Sequence, residues 1–372
     1  MRSIRIVAVF IVFVFAISVL HAGAVISESA KGDPGIKSIN VLSFAPDGVL
    51  LIGDGAGSQI LAIETGDVSA EPRLSQMIEG IDAKLAARIG AKADGIEIID
   101  VAVNPASGTP YFAIRKQDDK RNLILTIDGQ SEIHEFELTD VSYARIQLRV
   151  GEDRIGSITD VAWADTQIVA AGRSNETFAS KIFSIDVPLK NDAVGNVNSA
   201  ETYHVSHRRW ETKAPMSVLI PIKENDRSYV VGAFSCTPIV KYPLDSLQPG
   251  AHVKGSSMIE LGSGNRPIDM FVYEKGGKSY VLSNTFRFHH ERKPFGPSPY
   301  WTVKFEQELL SEGDAVNENA ILRLKGSAPA TDKIEMVEAF HGVMQMDKLD
   351  ETHALVLRQV EEGVRLEVLP LP

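Results

Sequence analysis

Ile99-Asp100-Val101-Ala102-Val103-Asn104-Pro105-Ala106-Ser107-Gly108 runs directly into a second apolar stretch, Tyr111-Phe112-Ala113-Ile114. An apolar residue, a small polar residue and a short apolar run end in Asn-Pro and Ser-Gly, which are β-turn formers. A third run, residues 123–127, then closes on Ile127-Asp128-Gly129. Short β-rich runs separated by such turns form an antiparallel meander. The opening tetrad recurs as Ile39-Asn40-Val41-Leu42, Thr159-Asp160-Val161-Ala162, Met216-Ser217-Val218-Leu219, Ile268-Asp269-Met270-Phe271 and Met344-Gln345-Met346-Asp347. Pro46-Asp47-Gly48 and Glu274-Lys275-Gly276-Gly277 supply comparable turns.

Second strands are predicted at 49–52, 111–114, 168–171, 229–233, 280–283 and 354–357, and third strands at 60–63, 123–127, 181–185, 239–242, 320–324 and 364–368. Four-stranded antiparallel units spaced by about 50 to 75 residues are propeller blades, at a spacing looser than the short repeats. The reading is therefore all-β: a six-bladed β-propeller with one short helical excursion, forming a single domain over residues 25–372. The excursion is residues 75–93, where Ile78, Ile81, Leu85 and Ile89 recur at helical spacing. The last unit shows three strands, so residues 25–31 are predicted to supply its outer strand and remove a bare edge.

Arg2 and Arg5, a short apolar run and Ala22-Gly23-Ala24 read as a secretory signal peptide over residues 1–24. The expected location is exported, periplasmic or extracellular, with no membrane span after cleavage. The net charge of −11 argues against nucleic acid as a partner. The lone Cys236 excludes an internal disulfide and a thiolate metal cluster.

Phe44-Ala45-Pro46-Asp47-Gly48, Asp100 to Gly108, Gly172-Arg173-Ser174-Asn175-Glu176-Thr177-Phe178-Ala179-Ser180, Arg266-Pro267-Ile268-Asp269-Met270 and Asp347 to Leu355 resemble an uncharacterised family of exported bacterial β-propeller proteins. The resemblance covers most of residues 25–372. It implies the fold and no particular reaction. Stretch 287–319 is longer than that family leads one to expect. Similarity to calcium-dependent lactonase-like propellers and to NHL-type propellers is one of architecture only.

In a propeller the first strand of each blade lines a central channel. The polar set on those strands is Asn40, Asp100, Asp160, Ser217, Asp269 and Gln345. Loops joining second and third strands open on the same face and bring Asp54, Arg115, Asn175, Glu176, Ser235, Cys236, Asn284 and Arg358. Carboxylates around a narrow axis repel one another and require a cation, a bound proton or hydrogen-bond donors. Asp100, Asp160 and Asp269 would suit a hard cation such as Ca²⁺; they would equally cap backbone N–H groups of the neighbouring blade. Residues 285–319, with His289, His290, Tyr300 and Trp301, are predicted to join strands two and three of the fifth unit as a lid over the channel. His204 and His207 lie near Trp210 and read as surface packing. No nucleophile elbow, P-loop, dinucleotide fingerprint or His-Glu-x-x-His occurs. Two functions follow: a binding or scaffold module holding a small molecule or protein partner on the channel face, or a metal-dependent, lactonase-like hydrolase with an Asp as base.

Overall fold

The computed structural model describes residues 24–70, 72–150, 153–155, 157–235, 238–262, 264–292, 296–311, 317, 320–322, 324–325, 328–329 and 331–372. The expected signal peptide, apart from Ala24, and Cys236 lie outside the described residues. Strands of three residues or more are numbered along the chain. β1 (Ile26–Glu28) and β2 (Ala30–Gly32) precede the first meander, β3 (Val41–Ala45), β4 (Val49–Asp54) and β5 (Gln59–Glu64). The β3–β4 turn carries Asp47 at φ 59° and Gly48 at φ 67°, the left-handed pair that a tight hairpin favours. Every residue of β4 is buried, because Val49–Ile52 are apolar and pack into the clusters on both faces of the strand, while Asp54 is enclosed by hydrogen-bond donors.

The helical spacing resolves into α1 (Ile81–Arg88). The second meander follows: β6 (Ile96–Val103), β7 (Pro110–Lys116), β8 (Asn122–Ile127) and β9 (Ile133–Glu135). The chain then turns back, and β10 (Val141–Gln147) pairs with β5 as the outer strand of the first meander. The third meander is β11 (Ser157–Ala164), β12 (Gln167–Arg173), β13 (Ser180–Asp186) and β14 (Asn196–His204), with β15 (Arg209–Glu211) folded onto β14. The fourth is β16 (Met216–Glu224), β17 (Arg227–Phe234), β18 (Pro238–Pro243) and β19 (His252–Glu260). The fifth is β20 (Asn265–Lys275), β21 (Lys278–Arg287), β22 (Tyr300–Glu306) and β23 (Ile334–Met336); the sixth is β24 (Val343–Lys348), β25 (His353–Val360) and β26 (Gly363–Pro370).

The protein is all-β with one α-helix, in a propeller-like arrangement. Hydrogen bonding does not cut it into six equal sheets. The third and fourth meanders are fused, because β14 and β19 pair in parallel along their outer edges. The first strands pack side by side in the order β6, β3, β11, β16, β20, β24 and back to β6, so the first two meanders have exchanged places relative to the chain. The core divides accordingly. One apolar cluster joins Val41, Leu51 and Ile60 to Ile158, Val161 and Phe183. Others lie between the first and second meanders, the second and sixth, the third and fourth, the fourth and fifth, and the fifth and sixth. Each large side chain so buried contributes about 1.5–3 kcal/mol.

Two expectations are corrected. Residues 25–31 do not complete the last meander. β1 pairs in parallel with Leu189–Lys190, and β2 pairs with β10. The open edge of β26 is met instead by Ile78, whose N–H and C=O exchange hydrogen bonds with Leu366 at 2.9 and 3.0 Å, and by α1, whose Leu85 is fully buried against that sheet. The third strand of the fifth meander is β22, not 320–324; Ile321–Leu322 pairs in parallel with β19. The β21–β22 connection is thus only residues 288–299. Trp301 is on β22 and fully buried, because a bulky apolar ring between alternating polar residues belongs to the core face of a strand.

Candidate functional site

The six first strands enclose a cavity of about 830 Å³. Its wall carries Asn40, Asp100, Asp160, Ser217, Asp269, Gln345 and Asp347, with Arg173 and Arg266 also lining it. A first strand bonds to its own second strand along one edge only. The other edge presents free N–H groups to the next meander, and these must find acceptors.

The Asp side chains are those acceptors. Asp100 Oδ2 accepts from Leu42 N at 2.7 Å, and its Oδ1 from its own strand neighbour Val101 N at 2.9 Å. Asp160 repeats this with Leu219 N at 2.7 Å and Val161 N at 2.7 Å. Asp269 Oδ2 accepts from Met346 N at 2.8 Å, and Asp347 accepts from Val103 N and Lys348 N, each at 2.7 Å. The bonds from Leu42, Leu219, Met346 and Val103 each cross from one meander to the next, always in the same sense around the cavity. Three of the four Asp-bearing first strands carry a register shift just before or at the carboxylate, after Ile98, Ile158 and Pro267. Such bulges turn the side chain out of the ladder towards the neighbouring strand.

Capping does not discharge the site. Burial pushes the Asp160 carboxyl up to about 7 and that of Asp347 up to about 6. Burial, with repulsion among the four, holds Asp100 and Asp269 well above the usual carboxylate range. Lys348 is the one cation that offsets any of them, acting on Asp347 among the described residues, and its Nζ is engaged by Glu351 at 2.9 Å.

Asp347 was not among the residues singled out from the sequence. The aligned tetrad placed Gln345 at the channel position, and Gln345 donates through Nε2 to Ile99 O at 3.2 Å. Strand alternation puts residue 347 on the same face as residue 345, so the signal was present two residues on.

The other expected residues divide into structural partners and exposed groups. Asn40 accepts from Gly55 N at 2.7 Å, and Asp54 is saturated by donors from Lys37, Ser38, Gly57 and Gln59. Asn284 accepts from Asp269 N at 2.7 Å and donates to Val343 O at 3.2 Å, holding the strand that carries Asp269. Asn175 and Glu176 sit exposed in the β12–β13 turn, with Glu176 paired to Lys181 at 2.8 Å. Arg115 pairs with Glu97 at 3.3 Å, and Arg358 is bound by Glu367 at 2.9 Å. Ser217 and Ser235 share a hydrogen bond of 3.2 Å. His289 is exposed, and His290 and Tyr300 are half-buried. Phe288 N bonds to Gly264 O at 2.9 Å, which sets this loop on the face where the first strands begin. Among the described residues none of 286–301 lines the cavity.

No protein-family model matches the chain, and neither does any curated protein sequence. Among solved structures the chain is similar to a protein of unknown function from Bacteroides caccae, with 11% identity, 73% of this chain and 78% of that one covered, and a TM-score of 0.31. It is similar to the Bacteroides ovatus xyloglucan-locus protein GH43B at 9% identity, covering 73% of this chain and 52% of that one, with a TM-score of 0.35. A mutant α-L-arabinanase of Cellvibrio cellulosa gives 12% identity, 92% and 96% coverage and a TM-score of 0.30. At these scores none bears on what the chain does.

Proposed function

We propose that the six meanders are the blades of a six-bladed propeller, exported from the cell, whose channel binds a cation: a small ligand's ammonium or guanidinium group, or a divalent ion such as Ca²⁺. The count of six is supported by the closed order of first strands and by an apolar cluster at each successive contact. The observation that carries the binding reading is the set of four carboxylates on one cavity. Each carboxylate oxygen has two lone pairs, so an N–H cap leaves acceptor capacity. A ligand cation would favour the charged form of the carboxyls that burial raises, and would offset the repulsion that adds to it at Asp100, Asp160 and Asp269. Arg266 stands three residues before Asp269, and Arg173 pairs with Ser157 at the start of the strand that carries Asp160; both line the cavity and suit an anionic group on the same ligand. Asp100, Asp160 and Asp269 are the residues that would hold a divalent ion.

The test uses the mature protein after chelator treatment. Binding of Ca²⁺, of a small primary ammonium ion and of a guanidinium ion is measured by calorimetry on the wild type and on Asp269→Asn. One of the three should bind the wild type at least about tenfold more tightly, the weakening expected when a charged hydrogen-bonding partner is lost. If Ca²⁺ is the one, the metal reading is chosen; if an organic cation, the ligand reading. Absence of binding by all three, or equal binding by both proteins, refutes the proposal.

A further inference from the structure

We infer that His204, His207 and Glu211 form a binding site for a zinc-class divalent transition-metal ion, on the outer seam between the third and fourth meanders and remote from the channel. Strand pairing builds the trio. β15 lies antiparallel on β14, with Thr202 opposite Glu211 and His204 opposite Arg209. Alternation therefore puts His204 and Glu211 on one face. The connecting turn Val205–His207, closed by Arg208 at φ 51°, brings His207 back over them, its ring 4.0 Å from that of His204.

The ligand atoms already converge. His204 Nδ1 is 3.3 Å from Glu211 Oε1, His207 Nδ1 is 2.6 Å from the same oxygen, and all three groups lie within 4.8 Å of one another. Tetrahedral zinc with bonds of about 2.1 Å holds its ligands about 3.3–3.5 Å apart, so the site needs only a small opening at His207. Two imidazoles and a carboxylate suit zinc and its neighbours better than calcium. One coordination position stays open.

The surroundings are those of a metal ligand. His204 Nε2 meets Glu260 Oε2 at 2.9 Å, and both side chains are 3% exposed. Glu260 also accepts from Val205 N and from Ser206 Oγ, each at 3.1 Å. It is thereby fixed as the acceptor for the Nε2 proton, which leaves the Nδ1 lone pair of a neutral His204 aimed at Glu211. A carboxylate behind the outer nitrogen of a coordinating imidazole orients the ring and raises its basicity. The three ligands all come from the third meander, and the parallel pairing of β14 with β19 brings Glu260 of the fourth meander in behind them.

Chelator-treated protein is titrated with Zn²⁺ by calorimetry, and with Co²⁺ by visible absorption as a report on geometry. One ion per chain is expected, with the absorption of a tetrahedral cobalt complex and a rise in melting temperature. His207→Ala, at an exposed position, keeps the fold and should weaken binding at least tenfold; Glu260→Gln should weaken it about 10- to 100-fold. Asp269→Asn should bind zinc like the wild type, which separates this site from the channel. Sub-stoichiometric binding, affinity untouched by His207→Ala, or loss of zinc from Asp269→Asn would each overturn the inference.

Discussion

Asp160→Asn isolates the electrostatic tension of the channel. In the folded protein the carboxyl titrates at about 7, against an unfolded value of 3.8. The folded state therefore binds the proton more tightly. Whatever this binding contributes is complete below pH 4 and is lost as pH rises towards 7. Integrating the two titrations, an ionising Asp160 weakens the fold by about 2 kcal/mol at pH 5 and about 4 kcal/mol at pH 8. The side chain is not wholly covered, so water in the channel trims that swing of about 2 kcal/mol to about 1–2 kcal/mol. Asparagine has no such titration, but it has a single acceptor where the carboxylate serves both Leu219 N and Val161 N. One amide must then face the Asn NH₂, at about 1–3 kcal/mol irrespective of pH. Removing the charge also relaxes Asp269 and Asp100, both of which Asp160 pushes up, and this adds in the same direction. Stability relative to wild type should accordingly improve by about 1–2.5 kcal/mol between pH 5 and pH 8, measured as urea midpoints at both pH values with chelator present. A difference that stays constant with pH, or moves against the variant at pH 8, refutes the view that Asp160 is a strained carboxylate.

Leu85→Ala should cost about 2–5 kcal/mol by urea unfolding, since Leu85 is fully buried in the cluster that joins α1 to the sixth meander; a cost below about 1 kcal/mol would mean α1 does not cover that sheet. Deleting residues 25–32 should speed amide exchange in β10 and at residues 189–190, which they pair with, and leave β26 protected; faster exchange in β26 would restore the N-terminal closure. Trp301→Ala should cost about 3–5 kcal/mol without altering cation binding by the channel, and loss of binding at unchanged stability would return Trp301 to the site.

The meanders were legible because each is local. Turn chemistry such as Pro46-Asp47-Gly48 fixes a hairpin within a dozen residues, and alternation fixes which face is apolar. What links meanders is not local. Nothing in Val141–Gln147 marks it as partner of β5 rather than of β9, since both edges accept a strand of the same pattern. The exchange of the first two meanders follows from that one return, and with it the N-terminal strands are drawn to β10 instead of β26. Residues 320–324 misled for a related reason: they have strand propensity, but Tyr300–Glu306 had already taken the edge of β21.

The polar sites divide along the same line. Asp100, Asp160 and Asp269 stand at one place in a repeat, so a repeat alignment finds them. Asp347 stands two residues deeper on its strand, where alternation puts it on the channel face, and its bond to Val103 N at 2.7 Å makes it the fourth member. That bond runs from the sixth meander to the second, which, with the contact of the first meander to the third, is a step in the circuit that chain order does not supply. Asp100 makes the matching step from the second meander back to the first, through Leu42 N. The two carboxylates flank the exchanged meander, and they satisfy edge N–H groups on either side of it. A buried N–H left without an acceptor costs about 1–3 kcal/mol, so these side chains hold the exchanged order in place while they charge the channel. His204 and His207 were read as surface packing, and Glu211 was not read at all, because sequence shows neither the β14–β15 fold-back nor Glu260, which arrives from the next meander. The chemistry of that trio becomes visible only when strands distant in the chain are set edge to edge.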